Sequence, residues 1–196
     1  MTSPDIRAVC VFCGASMGND PAYRAAAEQL GTLLAQNDIT TVFGGGNAGL
    51  MGTVANSALA GGGEVIGIIP DYLVEREHGH RGVTRLDIVD SMHTRKTRMF
   101  DLSDGFISLP GGVGTLEETF EVITWKQLKM HAKPIAIIDV NGYWQALDQL
   151  ISATVEHGFA APPTRDLYRL VATPAEALDA LRADVEIGPP TDSARL

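Results

Sequence analysis

The stretch Gly105-Phe106-Ile107-Ser108-Leu109-Pro110-Gly111-Gly112-Val113-Gly114-Thr115-Leu116-Glu117-Glu118 reads as a strand, a glycine turn and the first turn of a helix. Apolar and β-branched residues run to Leu109, Pro110 ends the run, and the glycines leave backbone N–H groups open where the next helix begins. In an open parallel sheet, ligands bind outside the carboxyl ends of the strands, at such turns. Two other turns repeat the pattern: Gly14-Ala15-Ser16-Met17-Gly18 and Gly44-Gly45-Gly46-Asn47-Ala48-Gly49 each follow an apolar run.

Outward from these turns, short β-branched runs alternate with longer helical stretches, which predicts parallel strands joined by crossover helices. Strands are expected at 6–13, 40–43, 64–69, 86–89, 105–109, 134–139 and 168–171, and helices at 21–36, 49–60, 92–102, 115–130, 143–157 and 174–182. The fold class is α/β: a Rossmann-like, doubly wound parallel sheet of about seven strands with helices on both faces. The 196 residues, 45% of them apolar, suit a single domain over 1–183. Residues 184–196, with Gly188-Pro189-Pro190, read as a flexible tail. Residues 71–85, rich in charge and histidine, show no period and read as a functional or partly mobile loop.

With 24 acidic against 15 basic residues, a net charge of −9, the surface repels nucleic acid, and no such partner is expected. No apolar run approaches a membrane span and the N-terminus resembles no signal peptide, so the expected setting is cytoplasmic with no membrane partner.

Several motifs are weighed and set aside. Cys10 and Cys13 form C-x-x-C on a strand, where side chains three apart face opposite ways, and read as buried reduced thiols rather than a redox pair. Gly44, Gly46 and Gly49 satisfy G-x-G-x-x-G, but the position of the acidic ribose partner falls on Gly61-Gly62-Gly63-Glu64, which opens a strand; nicotinamide binding is not expected. Those three glycines read as a helix-ending turn. No P-loop pattern occurs.

Two charged clusters carry the chemistry. In the helix from about Thr115, Leu116, Phe120 and Ile123 form a stripe expected to pack on the sheet. Glu118, Val122 and Trp125 share another face, so Glu118 is expected to be desolvated, and that apolar face hints at a partner subunit. Glu117 is a weaker site candidate, and Glu121 reads as an ordinary solvated charge. The second cluster, Met92-His93-Thr94-Arg95-Lys96-Thr97-Arg98, follows a cap at Asp90 or Ser91. Its cations oppose the helix dipole, so a phosphate or carboxylate partner is expected for them. For Arg98 alone a solvated face is an equal reading.

Met92-His93-Thr94-Arg95-Lys96 and Pro110 to Glu118 together resemble the paired M-H-x-R-K and P-G-G-x-G-T-x-x-E signatures of the LONELY GUY family, the cytokinin-activating phosphoribohydrolases. The resemblance extends to Cys13-Gly14-Ala15-Ser16, to Gly44 through Gly52, to Ile123-Thr124-Trp125 and to Lys133-Pro134. Val113 replaces a frequent tyrosine and Ala15 a frequent serine. The resemblance implies hydrolysis of N6-substituted adenosine 5′-monophosphates to free base and ribose 5-phosphate, with AMP a lesser substrate, by a homodimer using no metal or redox cofactor. It places Arg95 and Glu118 at the catalytic positions. It places Glu77, Lys96, Gly112, Val113, Gly114, Thr115, Glu117 and Thr124 at substrate-binding ones. The glycine turns add Ser16, Gly45, Asn47 and Gly111 as candidates.

Some relatives carry the label lysine decarboxylase, but this chain has four lysines and none in a Schiff-base context. Cleaving a glycosidic bond develops an oxocarbenium-like sugar and a negative leaving base, which a carboxylate and a cation would stabilise. N–H groups at Gly112, Gly114 and Thr115 would grip the 5′-phosphate. The alternatives are a general AMP or purine nucleotide nucleosidase and a non-catalytic nucleotide-binding module.

Overall fold

In a computed structural model, which describes residues 6–187, seven strands form one parallel sheet: β1 (Ala8–Phe12), β2 (Thr40–Phe43), β3 (Val65–Pro70), β4 (Arg85–Val89), β5 (Gly105–Ser108), β6 (Ile135–Ile138) and β7 (Arg169–Val171). They alternate with α1 (Pro21–Gln36), α2 (Gly49–Ala60), α3 (Met92–Asp101), α4 (Val113–Gln127), α5 (Gln145–Glu156) and α6 (Pro174–Ile187). The strand order is β4-β3-β2-β1-β5-β6-β7. The chain winds outward from β1 to β4, then returns to lay β5 on the other side of β1. The two adjoining loops therefore diverge and open a crevice at the carboxyl ends of β1 and β5.

Alternation along the strands divides the core. Val9, Val11 and Cys13 pack under α1, α2 and α6, while Cys10 and Phe12 pack under α3, α4 and α5. The two cysteines thus lie on opposite faces, and burial raises both thiols, which keeps them protonated and unreactive.

Local chemistry accounts for several helix ends. Asp20 caps α1 by accepting from the Ala22 N–H at 2.8 Å, with Pro21 in the first turn. Ser91 caps α3 through the Thr94 N–H at 3.1 Å, and Asp90 accepts from the Thr94 hydroxyl at 2.6 Å. The glycines 61–63 end α2, with Gly61 as its cap and Gly62 at φ +80°.

Four expectations are corrected. The α4 stripe is rotated: Thr115, Thr119, Val122 and Ile123 are buried, while Leu116 and Phe120 are only partly so. Small hydroxyl side chains let the helix start sit close to the strand, with Ser108 and Thr119 hydrogen-bonded at 2.8 Å. Val122 lies in the chain's own core rather than on an outer face, while Trp125, half-buried, sits edge-on to Phe100 at 5.1 Å. α5 begins at Gln145 rather than 143, because Asn141 and Gly142 take positive φ values of 53° and 79°. α6 runs to Ile187, so the expected tail begins inside a helix; residues 188–196 lie outside those described. Among the described residues, no helix is long and apolar enough to cross a membrane.

Candidate active site

The crevice is a cleft of about 500 Å³ lined by the loop after β1, the loop after β5, the start of α4, and side chains from α3 and the 71–85 segment. Ser16, Glu77, Arg95, Gly111, Gly112, Gly114, Thr115 and Glu118 all face it. A wider, shallower hollow of about 580 Å³ beside residues 74–82 contains neither Arg95 nor Glu118.

The start of α4 has no side-chain cap. The carbonyls leading into it are all engaged: Pro110 accepts from the Gly14 N–H at 3.1 Å, Gly111 from the Tyr143 hydroxyl, and Gly112 from the Leu116 N–H at 3.1 Å. The N–H groups of Gly112, Val113, Gly114 and Thr115 have no hydrogen-bond partner among the described residues. Open donors beside satisfied acceptors, at the positive end of a helix, make a site for an anion. Gly111 must be glycine, since a Cβ there would lie 2.1 Å from Thr115 Oγ1 and 2.8 Å from the Gly14 nitrogen.

Arg95 is buried and held at three points. Nε donates to the Ile68 carbonyl at 3.1 Å, Nη2 to the Gly44 carbonyl at 2.6 Å, and Nη2 also reaches Glu77 Oε2 at 3.3 Å. Nη1 has only the Met92 thioether at 3.7 Å, which leaves a donor for a ligand. The second glycine turn serves this arginine: a Cβ on Gly44 would lie 2.1 Å from Nη2. The Gly45 carbonyl accepts from the His80 N–H at 2.8 Å, and Gly46 bridges to Gly79, so the turn pins the segment that carries Glu77. His80 is buried, which lowers its pKa; its ring contacts Asn56 Oδ1 through Nε2 and accepts from the Gly82 N–H through Nδ1.

Glu118 is half-buried in the cleft with no ion-pair or hydrogen-bond partner among the described residues. Burial pushes its carboxyl up to about 7 from an ordinary 4.5; the Arg95 charge opposes the shift, and Glu117 and Glu77 add to it. A carboxyl poised near neutrality in a cleft suits acid–base or charge-stabilising work.

The other expected site residues lie apart. Lys96 points between helices, with Nζ 2.6 Å from Glu117 and 2.8 Å from Glu121, so Glu121 is an ion-pair partner rather than a free solvated charge. Burial works against the Lys96 charge, but the hydrogen bonds to the two glutamates outweigh it and hold the ammonium above its ordinary range. Thr124 is exposed and donates to the Phe120 carbonyl at 2.7 Å. Val113 is 82% exposed beside the open N–H groups. Gly45 and Asn47 do not line the cleft; the Asn47 N–H goes to the Glu77 and His78 carbonyls at 3.1 Å. Arg98, half-exposed, pairs with Asp87 at 2.7 Å, so its partner is a carboxylate of the chain itself and it stays outside the cleft. Sequence reasoning missed Tyr23, Met17 and Tyr143, which also line the cleft; no spacing signal marks them, because Met17 and Tyr143 reach it from turns and Tyr23 from the first turn of α1. Of the lysines, Lys133 donates to the Phe100 carbonyl at 2.7 Å, and none lines the cleft among the described residues.

The profile of a family described as "Possible lysine decarboxylase" matches residues 51–181. A probable cytokinin riboside 5′-monophosphate phosphoribohydrolase of Oryza sativa subsp. japonica is 43% identical over 195 residues, covering 100% of this chain and 78% of its own. The enzyme so named in Arabidopsis thaliana is 46% identical over 167 residues (85% and 78% covered), and that of Rhodococcoides fascians 42% over 181 (92% and 91%). Among solved structures, the Moco carrier protein from Chlamydomonas reinhardtii aligns over 93% of this chain and 99% of its own, with a TM-score of 0.71 and 17% identity, a likeness of fold alone. With this identity along most of its length and both charged motifs folded into one cleft, the chain belongs to the LONELY GUY family.

Proposed function

We propose that this protein hydrolyses the N-glycosidic bond of N6-substituted adenosine 5′-monophosphates, releasing the free base and ribose 5-phosphate. The observation that carries this reading is the meeting of Arg95 and Glu118 in one cleft with an uncapped helix start. The names of relatives at 41–47% identity support it.

The 5′-phosphate sits on the N–H groups of Gly112 to Thr115, and that remote binding energy places the ribose over Glu118. As the C–N bond stretches, the ionised Glu118 stabilises positive charge on the sugar and orients the attacking water. Arg95, with a guanidinium that does not give up its proton, supplies positive potential on the leaving side through Nη1. Lys96, Glu117 and Thr124 act from outside this cleft, and the assembly is a homodimer, as the family resemblance implies.

The test is release of base and ribose 5-phosphate from isopentenyl-AMP, AMP and adenosine by wild type and by Glu118→Gln. Faster turnover of isopentenyl-AMP, lost in the variant and absent with adenosine, is expected. Equal turnover of AMP would replace this reading with a general nucleotide nucleosidase, and no cleavage would leave a binding module.

A further inference from the structure

The geometry points to Tyr143 as a positioning residue for the phosphate cradle: its hydroxyl holds the Gly111 carbonyl and thereby sets the N–H groups that meet the 5′-phosphate. This inference rests on the nucleotide reading above and deepens it.

Tyr143 belongs to neither charged motif and comes from the turn before α5. That turn is built to aim it. Asp139 accepts from the Trp144 N–H at 2.6 Å and from Gln145 Nε2 at 2.8 Å. Asn141 and Gly142 reverse the chain in the left-handed region, and Trp144, 1% exposed, anchors it in the core. Asn141 Nδ2 donates to Asp20 at 2.8 Å, tying the turn to the cap of α1. The Tyr143 ring is then boxed edge-on between Tyr23 at 5.7 Å and Trp144 at 5.1 Å, with its hydroxyl donating to Gly111.

The consequence follows from peptide planarity. The Gly111 carbonyl and the Gly112 N–H belong to one trans unit and point in opposite directions, so fixing one fixes the other. Three of the four residues from 111 to 114 are glycine, a segment whose ordering costs more entropy than most. Of the three carbonyls entering α4, Gly111 alone is held by a side chain; the others are held by backbone N–H groups. Tyr143 thus turns a carbonyl that would repel an anion into a satisfied one and lowers the ordering cost of binding.

The experiment is Tyr143→Phe, which removes one oxygen and keeps the ring. KM for the nucleotide and the calorimetric Kd for ribose 5-phosphate are expected to rise together, about three- to tenfold, the worth of one hydrogen bond, with kcat within about twofold. Tyr168→Phe is the comparison: it loses a hydroxyl bonded to Asp148 at 2.7 Å outside the cleft, and is expected to lower Tm without moving KM or Kd. Unchanged KM and Kd in Tyr143→Phe, or a fall in kcat at constant KM, would overturn the inference. So would a rise in KM and Kd matched by Tyr168→Phe. If wild type binds ribose 5-phosphate but cleaves no nucleotide, the catalytic reading falls while a weakened Kd in Tyr143→Phe upholds this one. If wild type cleaves and Tyr143→Phe binds normally, this one falls alone.

Discussion

Arg95 makes its ion pair with Glu77, at 3.3 Å, and not with Glu118, the other charged side chain expected to take part in catalysis. The cation is held by Glu77 and by the Ile68 and Gly44 carbonyls, so Glu118 is left unneutralised. The two charges can therefore act on different parts of a substrate.

Replacing Arg95 by lysine keeps the charge but removes the fork that spans Ile68, Gly44 and Glu77. We expect kcat/KM to fall by about 100-fold or more and stability to drop by about 2–4 kcal/mol, since buried carbonyls lose their donors. Glu77→Gln, which leaves an acceptor in place, is expected to cost about tenfold in kcat/KM. Steady-state kinetics and thermal unfolding read both, and a Glu77→Gln defect as large as that of Arg95→Lys would contradict a supporting role for Glu77.

The raised Glu118 carboxyl predicts a pH dependence in two quantities. Activity that needs the ionised form should climb from pH 6 to 8 with a midpoint near 7. The value belongs to the unliganded protein, so the limb should be read in kcat/KM, where the substrate phosphate adds a separate step near 6. For stability the folded value lies above the unfolded one, so the neutral form is the one folding favours. The penalty for ionising Glu118 is absent at low pH, begins above about 4.5 and is complete above about 7. Glu118→Gln should therefore stabilise the fold at pH 8 by on the order of 1–3 kcal/mol, read as a higher Tm, and change it little at pH 5. An equal gain at both pH values would refute the burial argument.

Lys96 follows Arg95 and Glu117 precedes Glu118, so the Lys96–Glu117 and Lys96–Glu121 pairs brace the helices that carry the two catalytic candidates. Lys96→Met should lower stability by about 1–2 kcal/mol, more than an exposed pair, because the lysine is only 15% exposed. It should reduce kcat more than it raises KM. A rise in KM with kcat untouched would instead mean that Lys96 touches the nucleotide directly.

Two glycines at the entry to α4 should fail differently. Gly111→Ala places its Cβ against Thr115 and the Gly14 backbone and should destabilise by about 1–3 kcal/mol. Gly114→Ala meets nothing within 4 Å, so its Tm should hold while the added methyl beside the open N–H groups raises KM several-fold. Thermal shift and nucleotide titration on the two variants check this; equal loss of Tm would mean that the cradle is not preformed.

Much of the architecture was legible because it is written locally. Hydrophobic period and Gly or Pro punctuation placed the starts of α1, α2, α3 and α6 at Pro21, Gly49, Met92 and Pro174, where they are observed. The misses fall where tertiary demands outweigh local pattern. α4 turns its threonines rather than Leu116 and Phe120 toward the strand, and residues 141–142 adopt positive φ to deliver Tyr143. Glu118 was legible as a desolvated carboxylate, but of its apolar neighbours on the helix Val122 belongs to the core and Trp125 is half-buried against Phe100.

The sequence by itself determined the order of strands and helices, the three glycine turns and the family to which Arg95 and Glu118 belong, because each depends on residues near one another along the chain. Only the tertiary structure decided that Arg95 pairs with Glu77, that Lys96 closes on Glu117 and Glu121, and that Tyr143 holds Gly111. Those partners lie 18 to 32 residues apart in sequence. They meet because β3 lies beside β4, β6 lies beside β5, and the chain crosses back through α3 to bring α4 next to it, and no local period encodes those neighbours.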